Sequence, residues 1–230
     1  MSRRPKRPRS QTRPQPKTNK VPSPVAPPQT TVPGGAPPFV GLTGGIGAGK
    51  SEALAALSRL GAATISSDQV VHSLYEDPEV RDLVVARWGP EVARDGRVDR
   101  SAIARHAFAS DEERAWLEQL LWPRVGERVG EWRASQSALD PPPLALVVET
   151  PLLFEAGLER NYDATIAVIA DEAVRAERAG ARGHAALDER TARQLPQAEK
   201  ARRATFTVEN SGTLRQLEQE LSAVLAKLKG

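Results

Sequence analysis

The stretch Phe39-Val-Gly-Leu-Thr-Gly-Gly-Ile-Gly-Ala-Gly-Lys-Ser51 decides the fold. Its apolar start, Phe39–Thr43, predicts a short buried strand, and the leucine spacing of Ser51–Leu60 predicts a helix that stops at Gly61. Between them, Gly44–Ser51 matches G-x-x-x-x-G-K-S/T, the pattern of a phosphate-binding loop. Glycines let successive backbone amides point at phosphate oxygens, and the helix N-terminus adds partial positive charge. The stretch therefore predicts a nucleoside triphosphate site between a strand and a helix.

Apolar runs alternate with helical segments through the rest of the chain. Four further runs have the length of strands: Ala63–Ser66, Leu144–Glu149, Ala164–Ala170 and Ala204–Val208. Continuous apolar runs are typical of parallel strands that helices cover on both faces. The sequence therefore predicts an α/β fold with a five-stranded parallel sheet flanked by helices. A helical insertion is expected between the second and third strands, and a helical, Arg-rich stretch over Asp171–Arg203.

The composition excludes several classes of protein. The chain of 230 residues has no cysteine, which excludes a disulfide framework, a Cys-ligated metal site and a thiol nucleophile. Its three histidines fit no close metal-ligand spacing. No run of about 18 apolar residues is present, so no membrane association is expected. The guanine-binding and switch motifs of GTPases are absent after residue 38, which favours a small-molecule kinase.

Residues 1–38 differ in composition from the rest. They hold eight of the 32 basic residues, none of the 29 acidic residues and 11 of the 19 prolines, so the remaining chain carries a net charge of −5. Proline has no amide donor and disfavours helix in the residue before it. We expect a disordered tail without a catalytic part, which binds nucleic acid at most weakly through its basic cluster Pro5–Arg9.

Several polar and charged residues are candidates for chemistry by their position alone. Lys50 supplies a cation to the β- and γ-phosphates of ATP, and the Ser51 hydroxyl is a ligand for Mg²⁺. Asp68 follows the second predicted strand, where it either serves the acceptor as a base or N-caps a helix that begins at Gln69. Glu149 ends the third strand, where an acid either holds Mg²⁺ or caps a turn.

Two arginines of the Arg-rich stretch share a predicted helix face. Arg178 and Arg182 lie about one helical turn apart. Their guanidinium groups either close over the triphosphate and meet the charge that develops during transfer, or form a solvated basic face.

Separated motifs resemble, in order, those of the dephospho-coenzyme A kinase family. They are the phosphate loop, Ser66-Ser67-Asp68, Leu121-Trp122-Pro123, Glu149-Thr150-Pro151-Leu152-Leu153-Phe154-Glu155, the two arginines, and Asn210-Ser211-Gly212. The resemblance covers the chain from about Phe39 to the C-terminus. It implies a nucleotide-binding core at 39–68 and 144–230, a helical substrate insertion at 69–143 and a helical lid within 171–203. Two departures are Ser66, where the family often has Asp, and Trp122, where it often has His.

The resemblance implies a reaction and its partners. The family transfers the γ-phosphate of ATP to the 3′-hydroxyl of dephospho-coenzyme A, the last step of coenzyme A biosynthesis. We therefore expect ATP and dephospho-coenzyme A as partners, Mg²⁺ as cofactor, a cytoplasmic location and a monomer or weak homo-oligomer. Two alternatives stay open at this stage: another phosphate-loop kinase of a nucleoside, nucleotide or shikimate, and a non-catalytic NTP-binding regulatory module.

The resemblance also implies site residues. Asp68, Lys50 and Arg182 are expected to be catalytic, and Ser51 and Glu149 to hold the metal. The expected ATP-binding residues are Gly45, Gly47, Ala48, Gly49, Lys50, Ser51, Glu52, Arg178, Arg182, Asn210 and Gly212. The expected substrate-binding residues are Asp68, His72, Trp122, Pro123, Pro151 and Leu152.

Overall fold

A five-stranded parallel sheet lies at the centre of the fold. The structure is a computed structural model that describes residues 35–94, 96–180 and 194–229. The strands are β1 (Phe39–Gly44), β2 (Ala63–Ser66), β3 (Ala93–Arg94), β4 (Arg97–Val98), β5 (Leu146–Glu149), β6 (Ala164–Ile169) and β7 (Phe206–Glu209). The sheet has the order β2-β5-β1-β6-β7 with parallel pairing throughout, and β3 and β4 form a separate antiparallel hairpin. The predicted fold class is confirmed.

Helices cover both faces of the sheet and build the insertion. They are α1 (Lys50–Arg59), α2 (Ser67–Leu74), α3 (Pro78–Trp88), α4 (Arg100–Ala107), α5 (Asp111–Ser137), α6 (Glu172–Gly180), α7 (Gln197–Arg203) and α8 (Leu214–Leu228). Helices α2 to α5 lie between β2 and β5 in the chain, where the sequence predicts a helical insertion. None of the helices in the described ranges is long and apolar enough to cross a bilayer.

The core lies where α1 and α8 pack on β1, β5 and β6. Leu57 of α1 and Leu221 of α8 are completely buried there, together with Leu42, Val147 and Ile166 of the strands. Each such aliphatic side chain contributes about 1.5–3 kcal/mol by its removal from water. This packing fixes the strand that carries the phosphate loop against the helix that follows it.

Helix α5 runs through Pro123 without a break. Proline removes one helical hydrogen bond and crowds the preceding turn. In that turn, Arg124 Nη1 donates to the carbonyl oxygen of Leu120 at 3.0 Å. Leu121 of α5 is buried against α2 and α3. Tertiary packing therefore holds the helix together at a position where its sequence alone favours an interruption.

The last strand begins later than the sequence predicts, at Phe206 rather than Ala204. Thr205 and Thr165 cause the shift, because each backbone amide donates to the other residue's Oγ1, at 3.0 and 3.1 Å. At this point side-chain oxygens take the place of the backbone carbonyl oxygens that would accept hydrogen bonds between the strands. Regular pairing of β6 with β7 therefore starts one residue beyond Thr205.

Glu113 ties α5 to α3, and its contribution to stability depends on pH. Arg87 donates to both of its carboxylate oxygens, at 2.8 and 3.1 Å, and Trp88 Nε1 donates at 2.6 Å. Arg87, and then Trp88, lower the pKa of Glu113 below its ordinary value of 4.5. A lowered pKa in the folded state adds stability above pH 4.5 that is lost as the pH falls through the folded value.

We therefore expect Glu113→Gln to lower the Tm at pH 7, with a difference from wild type that shrinks as the pH falls below 4.5. Thermal unfolding between pH 7 and pH 3 measures this. Glu112→Gln is the matched control, because its side chain is 87% exposed and lies 3.8 Å from Arg87. A Tm difference for Glu113→Gln that stays constant over this range would contradict the assignment.

Candidate active site

Three neighbouring strands bring the predicted motifs to one edge of the sheet. Residue Glu149 at the end of β5 lies level with Leu42 of β1 on one side and with Ser66 of β2 on the other. The phosphate loop follows β1, and Asp68 follows β2 by two residues. Because the strands are parallel, their carboxyl ends face the same crevice, the usual ligand site of such sheets.

The phosphate loop has a backbone that requires glycine at two positions. Gly47 and Gly49 have φ angles of 76° and 87°, in the left-handed region. A Cβ atom at Gly47 would lie 2.4 Å from the backbone oxygen of Arg175, and one at Gly49 would lie 2.0 Å from Asn210 Nδ2. The loop is therefore closed tightly against the segments behind it, and Ala48 between the two glycines is buried.

Lys50 lies over the loop that it follows. It is the first residue of α1, and its Nζ donates to the carbonyl oxygen of Gly45 at 3.2 Å. The ammonium group is thus held beside the loop backbone, next to the positive end of the helix. Both features favour an anion at this place.

Arg175 and Asn210 support the loop from behind. Arg175 Nε donates to the carbonyl oxygen of Ile46 at 3.0 Å, and its Nη1 pairs with Glu172 at 2.6 Å. Asn210 is buried, and its Nδ2 donates to the carbonyl oxygen of Ala48 at 2.9 Å. Arg178 Nη1 donates in turn to the Asn210 carbonyl oxygen at 2.8 Å. These bonds fix the loop in its anion-binding shape.

Arg175 is a residue that the sequence reasoning missed. Its spacing of three residues from Arg178 is the signal that was available, because residues so spaced lie on one helix face. The predicted partner of Arg178, Arg182, lies outside the described residues, as does the middle of the predicted lid.

Gly212 supports a helix rather than the loop directly. It precedes Thr213, the N-cap of α8, which forms a capping box with Gln216. A Cβ atom at Gly212 would lie 2.2 Å from Gln216 Oε1. Glu52 is also turned to a structural partner, because its carboxylate pairs with Arg59 at 3.4 Å within α1.

Asp68 is exposed in the first turn of α2, and its side chain has no hydrogen bond or ion pair among the described residues. The helix begins at Ser67 and its N-cap is Ser66, so the alternative that Asp68 caps a helix beginning at Gln69 is wrong. Its carboxylate is available to a ligand at the edge of the sheet. His72 is exposed one turn further along the same helix.

Glu149 and Ser51, the two predicted metal ligands, carry oxygen groups of the kind that Mg²⁺ prefers. The Glu149 side chain is buried at the end of β5 and has no hydrogen bond or ion pair within the described ranges, so its oxygens are open to a cation. Ser51 is exposed in the first turn of α1. No cluster of three or more His, Asp or Glu side chains able to bind a metal occurs in the described part of the chain. A carboxylate and a hydroxyl suit Mg²⁺, which keeps waters and phosphate oxygens as its other ligands.

The remaining predicted substrate residues lie on two segments. Trp122 and Pro123 are exposed on α5, and the Trp122 side chain is one wall of an open depression on that helix. Pro151 is half-buried, and its carbonyl oxygen accepts from Thr43 Oγ1 at 3.1 Å. Leu152 next to it is exposed. The side chains of Trp122, Pro123 and Leu152 are thus accessible to a ligand. Pro151 is only partly accessible, and its backbone is fixed by the bond from Thr43.

Comparison with known proteins identifies the family. The sequence model of dephospho-CoA kinase matches residues 38–216 of the chain. The chain belongs to the dephospho-CoA kinase family. Each candidate residue from Gly45 to Gly212 lies within the matched region, and the basic tail lies outside it apart from its last residue.

Relatives and solved structures agree with membership of the dephospho-CoA kinase family. The dephospho-CoA kinase of Deinococcus radiodurans is 38% identical over 196 residues, which cover 84% of this chain and 93% of that protein. That of Thermus thermophilus is 38% identical over 197 residues, with the same coverage of 84% and 93%. The crystal structure of TT1252 from Thermus thermophilus superposes with a TM-score of 0.70 at 36% identity and covers 85% of this chain and 100% of its own. The dephospho-CoA kinase structure from Campylobacter jejuni, at 21% identity and a TM-score of 0.56, covers 84% and 98% and shares the fold.

Proposed function

We propose that the chain transfers the γ-phosphate of ATP to the 3′-hydroxyl of dephospho-coenzyme A and so forms coenzyme A and ADP, the last step of coenzyme A biosynthesis. The observation that carries this proposal is the placement of Asp68, an exposed carboxylate without a partner in the described ranges, on the same sheet edge as the phosphate loop. The identity of the acceptor comes from the dephospho-CoA kinase family, to which the chain belongs.

The donor is bound by the loop and the residues around it. Backbone amides of the loop and the N-terminus of α1 bind the phosphate oxygens, and Lys50 adds a full positive charge. Arg175 and Asn210 keep the loop in shape through the carbonyl oxygens of Ile46 and Ala48. Because the donors are already oriented, little free energy is needed to reorganise them during transfer.

Ser51 and Glu149 are the residues that we propose to hold Mg²⁺. When bound, the ion neutralises charge on the phosphate oxygens. Glu149 carries a negative charge at the end of β5, and its side chain has no hydrogen bond or ion pair among the described residues, which leaves the carboxylate available to a cation.

Asp68 is the residue that we propose to act on the acceptor. Its carboxylate accepts a hydrogen bond from the 3′-hydroxyl, orients the oxygen toward the γ-phosphorus and takes the proton as the new O–P bond forms and the bond to the ADP oxygen breaks. Exposure of the carboxylate lets the proton pass to water afterwards. Most of the rate comes from positioning and fixed charge, because phosphoryl transfer leaves little covalent work to the protein.

Other predicted residues complete the proposal. Arg178 is placed beside the loop by its bond to Asn210, and we propose that Arg182 meets the charge that develops on the transferred group. We propose that the insertion at 69–143 binds the rest of the acceptor through His72 and the exposed face at Trp122 and Pro123. A cytoplasmic monomer or weak homo-oligomer is part of the same proposal.

A substrate panel tests this function. ADP release is measured with dephospho-coenzyme A, a nucleoside, a nucleoside monophosphate and shikimate as acceptors. Of these acceptors, we expect only dephospho-coenzyme A to raise ADP release above the rate that is measured without an acceptor. Release with a nucleoside monophosphate and none with dephospho-coenzyme A would overturn the proposal in favour of another kinase, and ATP binding without release in any arm would favour a regulatory module.

Removal of residues 2–36 is expected to leave kcat and both KM values within about twofold of the full chain. The family match begins at residue 38, and Pro37 is the first buried residue of the described range that starts at residue 35. The carbonyl oxygen of Pro38 accepts from Leu146 N at 2.8 Å. Steady-state kinetics of the two proteins measure this. A deletion of residues 2–41 is the contrast, because it removes half of β1 and should prevent folding. A large loss of activity in the shorter deletion would show that the tail takes part in catalysis.

A further inference from the structure

Lys200 is a completely buried lysine that takes no part in the proposed transfer. Its side chain is 0% exposed. Its Nζ donates to the carbonyl oxygen of Pro151 at 2.7 Å, pairs with Glu155 Oε1 at 2.9 Å and lies 3.4 Å from Thr43 Oγ1. Taking an ammonium group out of water is unfavourable, and an apolar side chain often replaces a buried ion pair without loss of stability. Stability alone is therefore a weak reason for a lysine here.

The partners of Lys200 belong to the two segments that carry the active site. Thr43 lies in β1 directly before the phosphate loop, and Pro151 follows Glu149 by two residues. Thr43 Oγ1 also donates to the Pro151 carbonyl oxygen at 3.1 Å. One carbonyl oxygen thus receives two hydrogen bonds, which fix the turn after Glu149 against the strand that leads into the loop.

Glu155 pairs with the Lys200 ammonium group but is itself incompletely satisfied. Its Oε1 accepts from Leu195 N at 2.8 Å as well as from Lys200, while its Oε2 is buried without a hydrogen-bond partner among the described residues. Burial lowers the pKa of Lys200, and the hydrogen bond and charge of Glu155 oppose this shift. The pair therefore carries an electrostatic cost that its own bonds do not fully offset.

Helix α7 is attached to the core without Lys200. Gln197 exchanges two hydrogen bonds with the backbone of Ala170, at 2.9 and 3.2 Å. Arg203 forms an ion pair with Glu159 and stacks on the Phe154 ring. Neither side chain forms a hydrogen bond or ion pair with Thr43 or Pro151 in the described part of the chain. The contact that Lys200 adds is the one to the active-site segments.

We infer that Lys200 is a positioning residue, which holds the Glu149–Leu152 turn in register with the phosphate loop by its bonds to Pro151 and Thr43. This inference rests on the proposed function. Without the ammonium group, the Pro151 carbonyl oxygen keeps only the hydrogen bond from Thr43. Thr150 N still donates to the carbonyl oxygen of Leu42 at 2.8 Å, so the residues that follow it, Pro151 and the acceptor-side Leu152, are the ones that shift relative to the donor. A small displacement of reacting groups is enough to slow a transfer that depends on positioning.

The test compares Lys200→Met with Arg203→Met. We expect Lys200→Met to lower kcat with dephospho-coenzyme A by about 10- to 100-fold and to leave the KM for ATP within about twofold, because Arg175 and Asn210 hold the loop from its other side. Arg203→Met is the matched control. It breaks an ion pair between the same helix and Glu159, which lies in the same segment after β5 as Glu155, but the Arg203 side chain does not reach Thr43 or Pro151. It should lower the Tm and leave kcat unchanged.

A double variant separates positioning from stability. Lys200→Met with Glu155→Gln removes both buried charges, and the Gln oxygen still accepts from Leu195 N. We expect this protein to regain part of the Tm that Lys200→Met loses, while kcat stays low. Recovery of kcat together with the Tm, or a wild-type kcat in Lys200→Met, would overturn the inference. Absence of dephospho-coenzyme A turnover by the wild-type protein would instead overturn the proposed function, and this role with it.

Discussion

Asp68→Asn is expected to lower kcat with dephospho-coenzyme A by about 10²–10⁴-fold, the usual contribution of a positioned acid or base. The amide has the shape of the carboxylate but accepts no proton at neutral pH. Asp68 has no hydrogen bond or ion pair among the described residues, so the change breaks no structural contact there and the Tm should stay unchanged. Steady-state kinetics and calorimetric titration with ATP measure the two effects separately, and the affinity for ATP should be preserved.

The control for this variant is Glu76→Gln. Glu76 is an exposed acid just after the end of α2, and it is further along the chain from the end of β2 than Asp68 is. Its substitution should leave kcat at the wild-type level, which shows that loss of one negative charge near α2 is not the cause. A near-normal kcat for Asp68→Asn would show that another group serves the acceptor.

Lys50→Met is the second variant with a large expected effect. We expect a loss of about 10²–10³-fold in kcat/KM for ATP, comparable to removal of one charged or hydrogen-bonding group that stabilises a transition state. Lys50 Nζ lies beside the carbonyl oxygen of Gly45 at the start of the loop, so its charge is positioned before the donor arrives. Lys50→Arg should fail nearly as badly, because the planar guanidinium does not replace a compact ammonium group in a closed loop.

Lys227→Met is the matched control for that experiment. Lys227 is exposed near the C-terminal end of α8, and its loss changes the net charge by the same amount. It should leave kcat/KM unchanged. If Lys50→Met keeps more than about half of the wild-type kcat/KM, the loop is not the site of phosphate binding.

The parts of the fold that follow local rules were predictable from the sequence. The strand Ala63–Ser66 has the predicted bounds, because a short apolar run determines it locally. The phosphate loop is also local, since its glycines have conformations that few other residues adopt. The strand order, with β5 between β2 and β1, depends on contacts between segments far apart in the chain, and no local pattern encodes it.

The residue roles that sequence reasoning missed depend on tertiary contacts. Arg175 matters because α6 lies behind the phosphate loop, which no local pattern shows. Lys200 looks like one more basic residue of an Arg-rich helical stretch, yet its side chain is completely buried. Asn210 is predicted to bind ATP, and the structure adds a role that the sequence does not show, since its side-chain amide donates to the carbonyl oxygen of Ala48 in the loop. In each case burial and partner were decided by elements far away in the chain.

The most direct test of the account follows a labelled phosphate. The protein is mixed with Mg²⁺, dephospho-coenzyme A and ATP that carries a radioactive γ-phosphate, and the products are separated by chromatography. We expect the label to appear in coenzyme A and to be released by a 3′-nucleotidase, and we expect Asp68→Asn to slow its appearance strongly. Label found only in inorganic phosphate or in another nucleotide, with no labelled coenzyme A, would contradict it.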